Sequence, residues 1–340
     1  MNVISTNEKL KPADFASDQE VRWCPGCGDY AILKAVQRTL PNFDTPKENY
    51  VFVSGIGCSS RFPYYMSTYG FHTIHGRAPA FATGIKMTNP ELDIWLVTGD
   101  GDGFSIGGNH MLHVLRRNVD MQILLCNNEI YGLTKGQYSP TSEVGLKTPS
   151  SPTGSVDTPL KPCVFALGAG GHFVARGYDT QKTLPAIFTR AHEHKGTSLV
   201  EILQNCIVYN DEVFEDVLNR KTAADRQIHV EHGQPLIFGS EKNKGLRLNP
   251  QSLSLEVVTI GEDGVSEDEI LIHDEKNRIL ATLLADMGGD HFPTAFGVLY
   301  CNPAETYEHE VEDQIAEAKN AGAKPSLDDV LREGHIWEVK

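Results

Sequence analysis

The chain has 340 residues, 40% of them hydrophobic, enough for one large or two modest domains with a substantial core. A formal net charge of −15 makes nucleic acid a poor electrostatic partner. No apolar run approaches the length needed to span a bilayer, so no membrane partner is expected, and the first ten residues lack a basic start followed by an apolar stretch, so the expectation is a soluble cytoplasmic protein without a secretory signal.

Up to about Asn210, strand-like and helix-like segments alternate, which predicts an α/β fold with a mostly parallel sheet flanked by helices. The first chemical signal is Trp23-Cys24-Pro25-Gly26-Cys27-Gly28. A Cys-x-x-Cys pair alone allows a redox dithiol, half a zinc site or half an iron–sulfur site. Nothing strand-like precedes Trp23, which weighs against a thioredoxin-like dithiol. Zinc needs two more ligands, and the nearest pair, His72 and His75, has no further cysteine beside it. A [4Fe–4S] cluster can draw its four thiolates from distant points of a chain.

Tyr50-Val51-Phe52-Val53-Ser54 reads as a strand ending in Gly55-Ile56-Gly57-Cys58. A second apolar run, 93–98, ends in Gly99-Asp100-Gly101-Asp102. Met111, Leu112, Val114 and Leu115 then mark an amphipathic helix over 110–117. A third run, 121–126, ends in Asn127-Asn128. Asp100 and Asn128 therefore both stand just past the carboxyl ends of strands, where an open α/β sheet binds its ligand. Hard oxygen ligands beside glycines that admit close backbone approach suit Mg²⁺ carrying a diphosphate. Gly-Asp-Gly alone is a common turn and Asn-Asn a common loop, but the two together, each closing a strand, are rarer.

The Ser-, Thr-, Pro- and Gly-rich stretch 138–162 reads as a long ordered loop over the site. Strands over 173–175 and 198–203 flank a helix over 183–194. After about Arg220 the pattern weakens; a strand over 255–260 and a polar helix over 308–319 are expected in a C-terminal extension. The division is thus 1–215 for the ligand-binding domain and 216–340 for the extension. Seven cysteines sort by position. Cys126, Cys163 and Cys301 read as core or structural residues, whereas Cys58 and Cys206 lie at strand ends on the edge that carries Asp100 and Asn128.

The spacing from Gly99-Asp100-Gly101 to Asn127-Asn128 resembles that of thiamine diphosphate enzymes, in which Asp100, Asn128 and the Ile130 carbonyl would hold the metal. Trp23 to Gly28, Gly57-Cys58-Ser59-Ser60-Arg61, His75-Gly76-Arg77-Ala78, Asn127 to Gly132 and Asn205-Cys206 together resemble the beta subunits of 2-oxoacid:ferredoxin oxidoreductases. The resemblance runs in order over residues 20–215. Gly70 to His75, Gly107 to His110 and Leu133 to Ser142 are most similar to the 2-oxoglutarate type.

The resemblance implies a thiamine diphosphate-binding fold. It implies thiamine diphosphate and Mg²⁺ at Ile56, Gly57, Cys58, Ser59, His75, Gly99, Asp100, Gly101, Asp102, Asn128, Ile130, Tyr131, Gly132, Leu133 and Thr134. It also implies a [4Fe–4S] cluster on Cys24, Cys27, Cys58 and Cys206, and catalytic roles for Lys135, Arg61 and His75, the two cations toward the substrate carboxylates. The implied reaction is oxidative decarboxylation of 2-oxoglutarate with coenzyme A to succinyl-CoA and CO₂, reducing ferredoxin and reversible as a reductive carboxylation. The pyrimidine-binding domain and its catalytic Glu would come from an alpha subunit in an alpha2beta2 assembly. Three readings stand beside it: a pyruvate or broad 2-oxoacid enzyme of the same family, a thiamine-dependent decarboxylase or synthase component without a cluster, and a non-catalytic zinc- or cluster-bearing interaction module.

Overall fold

Continuous apolar runs, rather than alternating ones, mark strands covered on both faces, and these strands build the centre of the molecule. The computed structural model describes residues 9–322, 325–337 and 339. Met1–Glu8 of the N-terminal reading lie outside the described residues. The strands, numbered in chain order, are β1 (Tyr50–Ser54), β2 (Tyr69–His72), β3 (Asp93–Gly99), β4 (Met121–Asn127), β5 (Ile130–Tyr131), β6 (Gln137–Tyr138), β7 (Phe173–Tyr178), β8 (Thr197–Leu203), β9 (Gln227–Val230), β10 (Ile237–Phe238), β11 (Lys244–Leu248), β12 (Leu255–Thr259) and β13 (Thr294–Cys301). Eight form one sheet in the order β2-β1-β3-β4-β8-β7-β13-β9, every neighbour parallel except β7 with β13. Every residue of β1, β4 and β8 is buried.

Helices cover both faces. On one side α1 (Asp29–Thr39) packs Ile32, Leu33 and Val36 into the same apolar layer as Leu184, Ile187 and Phe188 of a helix at Leu184–Glu193. On the other side Ala78 and Ala82 of α2 (Ala78–Thr88) share a layer with residues of α4 (Gly108–Arg117), which follows the short α3 (Asp100–Phe104). In α4 the buried stripe is Met111, Val114 and Leu115, while Leu112 is exposed. One position along a helix turns the side chain about 100°, which carries Leu112 off the stripe.

Two details come from the structure alone. The edge strand β2 has no buried residue and gave no apolar run to read. The chain after residue 215 returns to the sheet: β9 and β13 extend it, while β10, β11 and β12 form a separate antiparallel sheet. No helix among the described residues is long and apolar enough to cross a membrane.

Candidate functional site

Because β1, β3, β4, β7 and β8 run parallel, their carboxyl ends share one edge. A cavity of about 140 Å³ opens there between the segments 56–59, 99–102 and 128–134, with His75 at its side and Cys126 behind it. Every residue assigned above to thiamine diphosphate and Mg²⁺ lines it, whereas Cys24, Cys27 and Cys206 do not. Cys126, read as a core residue, lines it too.

Asp100 is the first residue of α3 and is buried. The Thr141 hydroxyl lies 2.7 Å from its Oδ2. Burial pushes its carboxyl above the usual range, against the hydroxyls of Ser139 and Thr141. None of the salt bridges among the described residues involves Asp100. A buried carboxylate without a cationic partner, at a strand end beside asparagine oxygen and backbone carbonyls, is a donor set that fits a hard divalent cation. Asn128 accepts from the Ile130 N–H at 3.3 Å through Oδ1 and donates through Nδ2 to Gln204 Oε1 at 2.7 Å. Glu129 between them has φ +55°, which turns the chain back so that Ile130 pairs with Tyr138.

Asp102 sits differently from its neighbour in the motif. Its Oδ1 accepts from Ile56 N (3.0 Å), Gly76 N (2.7 Å) and His75 Nδ1 (2.5 Å), and its Oδ2 accepts from the Thr98 hydroxyl (2.7 Å). The carboxylate is thus committed to the protein and ties three loops of the cavity together. A carboxylate that already takes two backbone N–H groups is an acceptor, so His75 carries its proton on Nδ1 and leaves Nε2 as the free ring nitrogen. Close approach explains two glycines. A Cβ on Gly55 would fall 2.0 Å from Asp102 Oδ2, and one on Gly101 would fall 2.2 Å from the Tyr131 ring that packs on it.

The four candidate cluster cysteines lie on the same edge. Gly26, with φ +89°, closes the turn that joins Cys24 to Cys27. The Gly28 N–H donates to Asn205 O, and Trp23 Nε1 donates to Cys58 O at 2.7 Å, so the turn is pinned to both other cysteine segments. A Cβ on Gly132 would stand 3.4 Å from Cys206 Sγ and 3.7 Å from Cys58 Sγ, so these sulfurs flank one glycine of the cavity wall. Burial and neighbouring negative charge push the Cys58 thiol up to about 12 and the Cys27 thiol higher still. All four thiols are free. Among the described residues, no three His, Cys, Asp or Glu side chains stand close enough to hold a single metal ion. A cubane cluster sets its thiolates wider apart than one ion does, so free cysteines from three segments of one edge, two of them beside Gly132, fit the larger group.

Arg61 and Lys135 do not line the cavity. Arg61 Nε donates to the Tyr65 hydroxyl at 3.0 Å, and Lys135 is exposed on the loop past Thr134 with φ +77°. Cys163 is buried against Glu201 Oε2 at 3.1 Å, and Cys301 lies on β13.

Sequence reasoning missed the polar shell behind the site. The Thr141 hydroxyl lies 3.0 Å from Asn127 Oδ1, and Asn127 Nδ2 donates to Glu201 Oε1 at 2.9 Å. Glu201 Oε2 accepts from Arg176 Nε at 2.7 Å, and Arg176 Nη2 donates to Ala285 O at 3.2 Å. A buried ion pair in the sheet centre is thereby connected to Asp100. The only signal for it was polar residues inside otherwise apolar strands.

A family model for the C-terminal, thiamine pyrophosphate-binding domain of thiamine pyrophosphate enzymes matches residues 55–202. The chain is 47% identical to the 2-oxoglutarate oxidoreductase subunit KorB of Mycobacterium tuberculosis, over 99% of this chain and 91% of that one. It is 44% identical to a 2-oxoacid:ferredoxin oxidoreductase subunit beta of Saccharolobus solfataricus, over 56% of this chain and 63% of that relative. Among solved structures, it is similar to the 2-oxoglutarate:ferredoxin oxidoreductase of Magnetococcus marinus with 2-oxoglutarate, coenzyme A and succinyl-CoA bound, at a TM-score of 0.73 and 31% identity over 95% of both chains.

Proposed function

The chain belongs to the beta subunits of the 2-oxoacid:ferredoxin oxidoreductases, and from that premise we propose that, with a partner subunit, it decarboxylates 2-oxoglutarate oxidatively, passing the succinyl group to coenzyme A. The observation that carries this reading is the shared edge: a buried Asp100 with no salt-bridge partner among the described residues, free Cys58 and Cys206 beside Gly132, and the Cys24–Cys27 turn pinned to both of their segments. The substrate reading is supported by the mycobacterial relative's name and by the molecules bound in the Magnetococcus structure.

Thiamine diphosphate, when bound, supplies the carbanion that takes the keto carbon of the substrate. The protein's part is placement. Asp100, Asn128 and the Ile130 carbonyl would hold Mg²⁺ and through it the diphosphate. Asp102 fixes the His75 ring through Nδ1 at the side of the cavity, which leaves Nε2 as the ring nitrogen for a further hydrogen bond. Cys24, Cys27, Cys58 and Cys206 would hold a [4Fe–4S] cluster, which would supply one-electron transfer toward ferredoxin. Arg61 and Lys135 lie on segments leaving the cavity and are the candidates for the substrate's carboxylates, with reach that a closing loop or a partner would complete. The pyrimidine-side Glu would come from the alpha subunit, in an alpha2beta2 assembly located in the cytoplasm.

The test is anaerobic purification with the partner subunit, iron and sulfide analysis, and coenzyme A-dependent viologen reduction. Four irons per chain, loss of iron in Cys206→Ala but not Cys163→Ala, and faster turnover of 2-oxoglutarate than of pyruvate are expected. A Cys206→Ala protein with full iron overturns the cluster assignment, and faster pyruvate turnover overturns the substrate.

A further inference from the structure

Gln204 follows β8 directly and is 1% exposed. Its side chain touches both cofactor sites. Oε1 accepts from Asn128 Nδ2 at 2.7 Å, while Nε2 donates to Cys27 Sγ at 3.2 Å and to Asn205 O at 2.8 Å. The direction of this chain is fixed from outside. The Ile130 N–H can only donate, so Asn128 presents its oxygen to it and its amide nitrogen to Gln204. Gln204 must then answer with its carbonyl, which turns its two N–H groups toward the sulfur and the Asn205 carbonyl. Every polar atom of the amide is used. The backbone holds it as well: the Gln204 N–H donates to Asn127 O at 2.8 Å, and Gly28 leaves room where a Cβ would meet Gln204 Cγ at 3.0 Å.

We propose that Gln204 is a positioning residue that couples the two sites: its amide N–H is directed at the Cys27 sulfur and raises the reduction potential of the cluster, while its carbonyl holds Asn128 in the orientation used toward the metal. This rests on the cluster and metal reading above. The physical basis is charge. When the cluster takes one electron from the decarboxylated substrate, negative charge on its thiolate sulfurs grows, and an N–H aimed at one of them stabilises the reduced form more than the oxidised form. The same electron leaves to ferredoxin, and Gln204 gains and loses no proton. Anchoring Asn128 Nδ2 prevents the amide from rotating its donor end toward a cation.

Two substitutions separate the two halves. Gln204→Glu keeps an acceptor for Asn128 but loses the N–H toward Cys27; Gln204→Met, of similar length, loses both. In the assembled, anaerobically purified complex both variants are expected to lower the cluster midpoint potential, changing the oxidised-to-reduced ratio at fixed potential by about fivefold. Only Gln204→Met is expected to weaken Mg²⁺-dependent thiamine diphosphate binding, read as a several-fold higher half-saturating Mg²⁺. A wild-type potential in both variants with iron retained overturns the inference. Independently of any variant, pulsed EPR of the reduced wild-type complex carrying ¹⁵N in its glutamine side chains should show a ¹⁵N coupling to the cluster; its absence overturns the inference. A wild-type complex without iron defeats the cluster reading itself, which is a different result.

Discussion

Replacing Arg176 with Met should open the centre of the sheet. Arg176 and Glu201 form an ion pair at 2.7 Å whose side chains are 7% and 3% exposed. Without the guanidinium, Glu201 retains Asn127 Nδ2 and the weak Cys163 thiol donor, and the Ala285 carbonyl loses its Arg176 donor. Breaking a buried pair by removing one partner costs about 3–5 kcal/mol, because the remaining charge is left in a low dielectric. Since ~1.4 kcal/mol is tenfold in an opening equilibrium, amides of β7, β8 and β4 should exchange with deuterium about 10²- to 10³-fold faster. The double variant Arg176→Met, Glu201→Leu replaces the pair by apolar groups and should recover most of the protection. In the single variant the penalty should shrink at low pH, where the stranded carboxyl can take a proton. In the wild type the guanidinium holds the Glu201 carboxyl below its usual range, so the pair's contribution is present above the ordinary glutamate value and fades only as the pH falls through that lowered value. Hydrogen exchange of the assembled protein is the assay. Exchange within tenfold of wild type in Arg176→Met, or no recovery in the double variant, would refute the reasoning.

Asp100→Ala should retain the fold and lose Mg²⁺-dependent thiamine diphosphate binding, measured by calorimetry, since a methyl group cannot ligate the cation. Lys135→Ala should raise KM for 2-oxoglutarate or lower kcat/KM with iron and cofactor content unchanged, and normal kinetics would remove Lys135 from the site. His194 is buried with Nε2 unpartnered, and desolvation holds its pKa down at about 4. Its folded value lies below the unfolded one near 6.5, so stability is full above that value and is lost as the pH falls from about 6.5 to 4. His194→Asn should flatten that part of a thermal-stability profile, and an unchanged slope would assign it to other groups.

The parallel sheet was legible because β1, β3, β4 and β8 are covered on both faces and so are uninterrupted apolar runs. Their shared direction is also why residues as distant in sequence as Cys24 and Cys206 could be expected on one edge. The edge strand β2 escaped notice because it buries nothing, and the joining of β13 to β7 is a pairing across more than a hundred residues that no local pattern encodes. Within the site, Asp100 and Asp102 look equivalent in Gly-Asp-Gly-Asp. Only the donors arriving on Asp102 from Ile56, His75 and Gly76 separate them, and these come from other loops. Thr141 and Gln204 were readable only as polar residues next to motifs. Lys135 was placed by its short distance along the chain from Ile130, whereas the left-handed turn at Lys135 leaves its side chain in solvent.

The antiparallel docking of β13 also has a temporal side. While the chain is being synthesised, β7 has its partner β8 within a few tens of residues, but its other side stays unpaired until Thr294–Cys301 emerges. At ~5–20 residues/s that interval is roughly 6–23 s. During it, an apolar central strand offers free backbone groups to any neighbouring nascent chain. Expression yield should therefore respond to translation speed and chaperone supply over residues 179–293 more than to changes near the cofactor edge, and any truncation before β13 would make that transient edge permanent.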